Sequence, residues 1–296
     1  MKSYISILKN SLLVLSLLTL MSCEDRIQVK VDKTDSRITV DAFLNNLRQD
    51  QQIRITSTNS YFSGTTTPPV IGAEVSVTDL NTNKKYSFSD KGEGNYVYTL
   101  HPSDTMIVTG HSYQLTVRYK SYEYNAMTSA KRSVTIDALY FKYEEAVNSL
   151  LGNIPAGLKL KLLAKDQPGP TPDFYWVKLY KNTKFYSRPQ NMQLESFGLN
   201  NESDGLLFSP DRWKTSGPDG EDVPKTGDIV RLEIHGISRE VYDFLSLGAK
   251  MINNGGMFAV PSVNLPTNIH PVNENTPEAL GFFSVSEVNY KEIVCP

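Results

Sequence analysis

The residues best suited to chemistry stand near the start of the chain. Leu20-Met21-Ser22-Cys23 places a thiol directly after a small residue and three positions after a leucine. That is the spacing at which a lipoprotein signal peptidase cuts and at which the cysteine receives diacylglycerol. Lys2 and Lys9 supply a basic n-region and Leu12 to Leu20 a short apolar run. Residues 1–22 are therefore expected to be a cleaved lipoprotein signal peptide. Cys23 is the expected lipidation site, carrying covalent diacylglycerol and an N-acyl chain of the palmitate class. An uncleaved spanning helix wants about 20 apolar residues, and Lys9, Asn10 and Ser11 interrupt the stretch. One acyl chain binds a bilayer weakly whereas several hold it, so a triacylated Cys23 would anchor the protein stably.

Other chemistry is sparse. Asn200, Glu202, Asp204 and Asp211 fall at positions 1, 3, 5 and 12 of a loop with Gly205 at position 6, which is the spacing of a calcium loop. Position 12 wants a bidentate Glu and position 9 is Phe208, so an ordinary polar turn is the preferred reading and metal the alternative. His101, His111, His235 and His270 are scattered, each without a second His or a Cys at ligand spacing. There is no GxSxG elbow, phosphate loop, HExxH or CxxC. No catalytic residue, resident metal or cofactor beyond the lipid is expected, and the chain is read as a non-enzyme. Among the aromatics, Tyr61, Phe62, Tyr122, Trp176 and Trp213 could offer flat faces to a sugar or peptide. Phe174-Tyr175-Trp176 running into Val177 and Leu179 reads instead as a buried strand. Trp213, in a long polar loop, is the candidate ligand contact.

These residues need a scaffold, and the pattern says it is mainly β. From Arg37 on, apolar residues alternate: Ile38, Val40, Ala42, Leu44; Ile53, Ile55; Ala73, Val75, Val77; Tyr86, Phe88; Tyr96, Tyr98, Leu100; Tyr113, Leu115, Val117. Turn signals separate them, among them Asn45-Asn46, Pro68-Pro69 and Gly92-Glu93-Gly94. This predicts an N-terminal β-sandwich of immunoglobulin or transthyretin type over 36–133, after a tether at 23–35. A second β-rich domain follows over 134–296, with strands near 134–143, 158–164, 174–180, 228–235 and 281–288. It has one short helix, from about Arg239 to Ile252, with Ser238 as N-cap and Glu240 in the first turn. The connection from 190 to 226 is long for a compact domain and is a candidate functional loop.

Composition narrows the partners. The chain carries 30 basic and 32 acidic side chains, and Lys2 and Lys9 are lost with the leader, leaving 28 against 32. Mild, dispersed acidity argues against nucleic acid. With Cys23 lipidated, Cys295 is left without an intramolecular partner, so no disulfide framework is expected and Cys295 reads as an incidental thiol at the tail.

The opening "RITVDAFL", the segment "YFSGTTTPPVIGAEVSVTD", the strands "GEGNYVYTL", "GHSYQLTV" and "DFYWVKLYKN", the stretch "ISREVYDFLSLGAKM" with "NLPTNI" after it, and the closing "ALGFFSVSEV" resemble the Bacteroidota lipoprotein family known as domain of unknown function 4249. The resemblance implies an outer-membrane lipoprotein acting beside a TonB-dependent outer-membrane receptor in nutrient uptake, and it carries no catalytic residues onto this sequence. Glu24 and Asp25, directly after Cys23, look like a short form of the acidic export signal of that group, which points to display at the cell surface. The alternatives are a structural, adhesion or envelope-assembly lipoprotein without a small ligand and, further off, a surface hydrolase. An extended chain reaches at most ~3.5 Å per residue, so a tether of about a dozen residues would keep the first sandwich near the membrane.

Overall fold

Alternation builds the first half of the molecule. In β1 (Ile38–Asn45), Ile38, Val40, Ala42 and Leu44 are buried while Thr39, Asp41 and Phe43 point to the opposite face. The computed structural model describes residues 36–59, 66–101, 104–149, 152–154, 156–185, 192–198, 207–208, 224–254 and 263–296. Within them, β2 (Gln51–Ser57), β3 (Glu74–Asp79), β4 (Lys84–Asp90), β5 (Asn95–Tyr98), β6 (Ser112–Tyr119) and β7 (Tyr122–Ser129) follow β1. The next segment carries β8 (Ile136–Glu144), the small hairpin β9 (Val147–Ser149) and β10 (Gly152–Ile154), then β11 (Gly157–Lys165), β12 (Asp173–Lys181) and β13 (Lys184–Phe185). After these come β14 (Gln193–Phe197), β15 (Leu207–Phe208), β16 (Ile229–Ile237), helix α1 (Arg239–Ile252), β17 (His270–Pro271), β18 (Leu280–Ser286) and β19 (Val288–Val294). The fold is mainly β with one described helix.

Nine strands form one curled sheet in the order β17-β7-β6-β3-β4-β5-β2-β1-β18. Its inward residues, including Val40, Ile55, Val77, Tyr96, Tyr113, Leu115 and Phe283, make the first core. Each fully buried Val, Leu, Ile or Phe side chain contributes roughly 1.5–3 kcal/mol relative to exposure. The alternating set on β1, β2, β3 and β6 is therefore ample to fix register, because a one-residue slip would turn every one of them outward.

The strand expected near 281–288 does not simply close the second region. β18 lies parallel to β1, with Val40 opposite Gly281 and Ala42 opposite Phe283, and so completes the first sheet. Gly281 holds φ +94, and a Cβ there would run into the Val40 carbonyl; only glycine permits this approach. After Glu287 the chain passes to β19, which pairs antiparallel with β16. Phe283 and Val285 face the first core while Phe282 faces the cluster under the helix. Burial on both faces explains why Leu280, Phe282, Phe283 and Val285 crowd together with no alternation to assign the strand to a sheet, and why even Ser284 is buried.

The second core lies between two small sheets. One has the order β15-β11-β8, and the other β13-β12-β16-β19 with β14 also on β12. Leu139, Leu160 and Leu162 meet Tyr175, Val177, Leu232 and Ile234. Helix α1 starts where sequence placed it: the Ser238 hydroxyl accepts from the Val241 amide at 3.4 Å, Glu240 sits in the first turn and Lys250 in the last. Val241 and Leu245 bury against Phe174, Ile237 and Phe282.

Candidate functional site

Cys23, the loop residues Asn200, Glu202, Asp204 and Asp211, and Trp213 lie outside the described residues, as do Tyr61 and Phe62. Tyr122 and Trp176 are described, and both are half-buried packing residues: Tyr122 against the first core and Trp176 against the helix cluster. Phe174-Tyr175-Trp176 is the buried strand expected of it.

The densest polar chemistry sits elsewhere, on the face of the five-stranded sheet turned away from the second core. Strand register stacks the residues in rows: Trp176 opposite His235 opposite Val288, then Lys178 opposite Glu233 opposite Tyr290, then Tyr180 opposite Arg231 opposite Glu292. Directly opposed side chains on one face touch, and here they bond. Arg231 gives both Nε and Nη2 to Glu233 Oε1 at 2.8 Å, and the His235 Nε2–H donates to Glu233 Oε2 at 2.9 Å. The Lys178 ammonium lies 3.7 Å from the centre of the Trp176 ring, a cation–π contact. Phe43, from the outer face of β1, meets Trp176 edge-on with centroids 5.6 Å apart. The first sheet thus meets this face through an aromatic contact at the edge of the charged rows, continuous with the apolar cluster of Phe174, Ile237 and Phe282.

Low dielectric sets the protonation of this layer. Burial first, and then the charge of Lys178, hold the His235 imidazole down to about 4, against the pull of Glu233. The ring is only 4% exposed and is neutral at pH 7. Burial pushes the Lys178 ammonium down to about 8, opposed by the carboxylates of Glu233 and Asp41. Burial also works to raise Glu233, but the hydrogen bond and charge of His235, then Arg231 and Lys178, outweigh it and leave the carboxyl lowered. Asp41, though its side chain reaches solvent, is crowded enough by protein that desolvation raises it, with Lys178 and Arg54 pulling the other way. The Trp176 Nε1–H is buried with no acceptor, a donor that the surrounding aromatic packing leaves unmatched.

Two further polar sites are architectural. Arg132 donates to both oxygens of Asp173 and to the Gln167 carbonyl, while the Tyr175 hydroxyl donates to the buried Asp166. Gly236 lies so close to the Arg132 backbone that any Cβ would collide with its carbonyl, so this arginine is clamped against β16. In the first sheet, His111 Nδ1 pairs with Asp79 Oδ2 at 2.9 Å beside the Asn81 turn. Among the described residues no three His, Cys, Asp or Glu side chains gather as a metal cluster. His101 and His270 are exposed. Cys295 is not a loose tail thiol: it is 3% exposed, its Sγ lies 3.7 Å from the Pro224 carbonyl, and burial pushes the thiol up.

The buried charged layer was missed from sequence, yet a signal existed. Arg231, Glu233 and His235 alternate with Val230, Leu232 and Ile234, as Trp176 and Lys178 do with Val177 and Leu179. Period two with three ionisable residues on one side normally means a solvent face. Only the packing of Phe43 from β1 onto Trp176, a long-range fact, shows that part of this face is covered.

A sequence model of the family described as a domain of unknown function, DUF4249, matches residues 24–292. The chain belongs to that family. The match begins one residue after Cys23 and takes in both cores, the helix and nearly all of β19, so the family unit and the described fold coincide. No curated protein matches the chain.

Proposed function

We propose that this DUF4249 protein is a non-catalytic accessory lipoprotein of the outer membrane, held by lipid on Cys23 and working with a TonB-dependent receptor in nutrient uptake. The observation that carries the reading is Leu20-Met21-Ser22-Cys23 behind a basic, apolar leader, with the family unit starting immediately after it. The chemistry of the charged layer is in keeping with it. Glu233 is already bonded to Arg231 and His235, and His235 does not change its protonation state near neutrality. Such a network suits holding a shape better than moving protons.

Replacing Cys23 with Ala and fractionating cells tests the anchor. The expected result is loss of the protein from outer-membrane fractions, and unchanged membrane retention would sink the reading. Protease added to intact cells is expected to degrade the wild type, and protection would rule out surface display. Co-purification in mild detergent is expected to recover a large outer-membrane β-barrel. Recovery of the anchored protein alone would leave the structural, ligand-free lipoprotein as the better account.

A further inference from the structure

The first sheet and the five-stranded sheet part just beyond the contact of Phe43 with Trp176. Asp41 and Phe43 share the outer face of β1, and Trp176 and Lys178 share the face of β12 turned away from the second core. The two rings close one rung, with centroids 5.6 Å apart, and the next rung sets Asp41 against Lys178. These two charges attract each other without coming within ion-pair distance. Arg54, directly opposite Asp41 on β2, adds a third charge to the same wall. Among the described residues, the side chains of Asp41, Arg54 and Lys178 find no hydrogen-bond or ion-pair partner. Asp41 is exposed and is nonetheless desolvated. A carboxylate on a convex surface would keep its water, so Asp41 stands in the wall of a cleft that opens to solvent.

An ammonium withdrawn from water needs acceptors, and Lys178 has only the Trp176 ring at 3.7 Å. Replacing so poorly compensated a charge by an apolar chain is commonly neutral or stabilising. A group held at a cost to stability points to a site. Its neighbours say what the site would take. An anion alone would meet Asp41, and a cation alone would meet Lys178 and Arg54. A neutral sugar would offer hydroxyls, whose bonds are about half as strong as those between charged groups, and would find the Trp176 ring capped by Lys178. A zwitterion answers both signs at once, and the half-buried Phe43 and Trp176 give it an aromatic floor.

We propose that this cleft binds a free α-amino acid with an apolar side chain. Its carboxylate accepts from Lys178 with Arg54 alongside, its ammonium donates to Asp41, and its side chain lies against Phe43 and Trp176. The site itself needs no lipid anchor; its place in uptake rests on the accessory reading above, for which it names the nutrient class.

The test titrates L-leucine by calorimetry into the full mature chain, purified with its lipid in mild detergent. Saturable binding of one leucine per chain is expected. Isocaproate, which lacks the ammonium, and isoamylamine, which lacks the carboxylate, should bind at least about tenfold more weakly. Lys178→Met and, separately, Asp41→Asn should each weaken leucine binding by at least about tenfold. Chemical denaturation separates a ligand group from a structural one: Lys178→Met should lose leucine while unfolding at no lower denaturant concentration than the wild type. If Lys178→Met unfolds earlier or does not fold, Asp41→Asn decides, because its side chain holds no hydrogen bond of the fold. No binding of leucine, equal binding of isocaproate or isoamylamine, a comparable response to maltose, or undiminished binding by Asp41→Asn or by a folded Lys178→Met would overturn the site. Those results would leave the anchor and receptor experiments untouched. Leucine bound by a protein that is neither anchored nor recovered with a receptor would remove the accessory reading and leave the cleft standing.

Discussion

His235 concentrates the energetics of the charged layer. Its folded-state value, about 4, lies below the ordinary 6.5. As pH falls from 6.5 towards 4 the unfolded chain takes up a proton that the native state refuses, and stability declines. One such imidazole is worth about 3 kcal/mol when fully expressed. Glu233 acts in the same direction lower down: its lowered carboxyl stabilises above the unfolded value of 4.5 and that contribution disappears as pH falls through the folded value. Denaturant titrations at pH 7 and pH 4.5 should therefore show a marked acid loss. His235→Gln, which can still donate to Glu233, should lose clearly less between the two; an unchanged difference would show that the burden lies elsewhere. Lys178 has the same sign of slope in a higher pH window. The native state releases its proton near pH 8 while the unfolded chain keeps it to about 10.5, so stability should rise over that interval. Lys178→Met should abolish the rise and add about 1 kcal/mol at pH 7, because the desolvated ammonium is compensated by stacking rather than by a direct ion pair. A destabilised Lys178→Met protein would mean that the attraction to Asp41 and Glu233 outweighs desolvation.

Elements show which signals were local. Ser238, Glu240 and the Val241–Leu245 spacing marked α1 because capping and amphipathicity are read within a few residues. Ser238→Ala should cost about 1 kcal/mol, measured by chemical denaturation, and no change would show that packing of Val241 and Leu245 alone sets the helix start. The strands β1 to β6 were legible for the same reason: one face of each is apolar at period two. β7 was not, since Tyr122, Tyr124 and Met127 present aromatic and sulfur groups on both faces. β19 was missed because Tyr290, Ile293 and Val294 straddle both faces of an edge strand. The candidate site was the least legible of all, because cross-strand partners such as Lys178 and Glu233 are 55 residues apart. Gly281 carries the sharpest test at this scale. Its positive φ and the Val40 carbonyl leave no space for a side chain, so Gly281→Ala should destabilise by about 3 kcal/mol or prevent folding. A variant that melts like the wild type would deny that the β1–β18 pairing is as tight as the geometry makes it.

At the scale of the molecule, the decisive feature is how little chain separates the two sheets at the end. β18 completes the nine-stranded sheet beside β1, β19 completes the five-stranded sheet beside β16, and Glu287 alone lies between them. The Glu287 carboxylate accepts from the Ser133 amide at 3.0 Å, and its backbone bonds to Lys131 and Gly236, so the crossing point is itself fastened to the segment linking the two halves. Unfolding either core would pull a strand from the other, which couples them in one cooperative transition. Residues 36–133 read as a self-contained sandwich from their own pattern, but without β18 the outer edge of β1 loses the partners of Val40, Ala42 and Leu44 and Phe283 is removed from the core. A fragment of 36–133 should therefore be aggregated or molten, with poor dispersion of its amide resonances, while 36–296 should give a single calorimetric peak whose van't Hoff and calorimetric enthalpies agree. Adding a peptide of residues 278–289 in trans to the fragment should recover dispersed resonances, since the missing edge contact is supplied by β18. A fragment that folds unaided, or a two-peak thermogram for 36–296, would show instead that the first sheet closes without its parallel strand and that the halves are energetically separate.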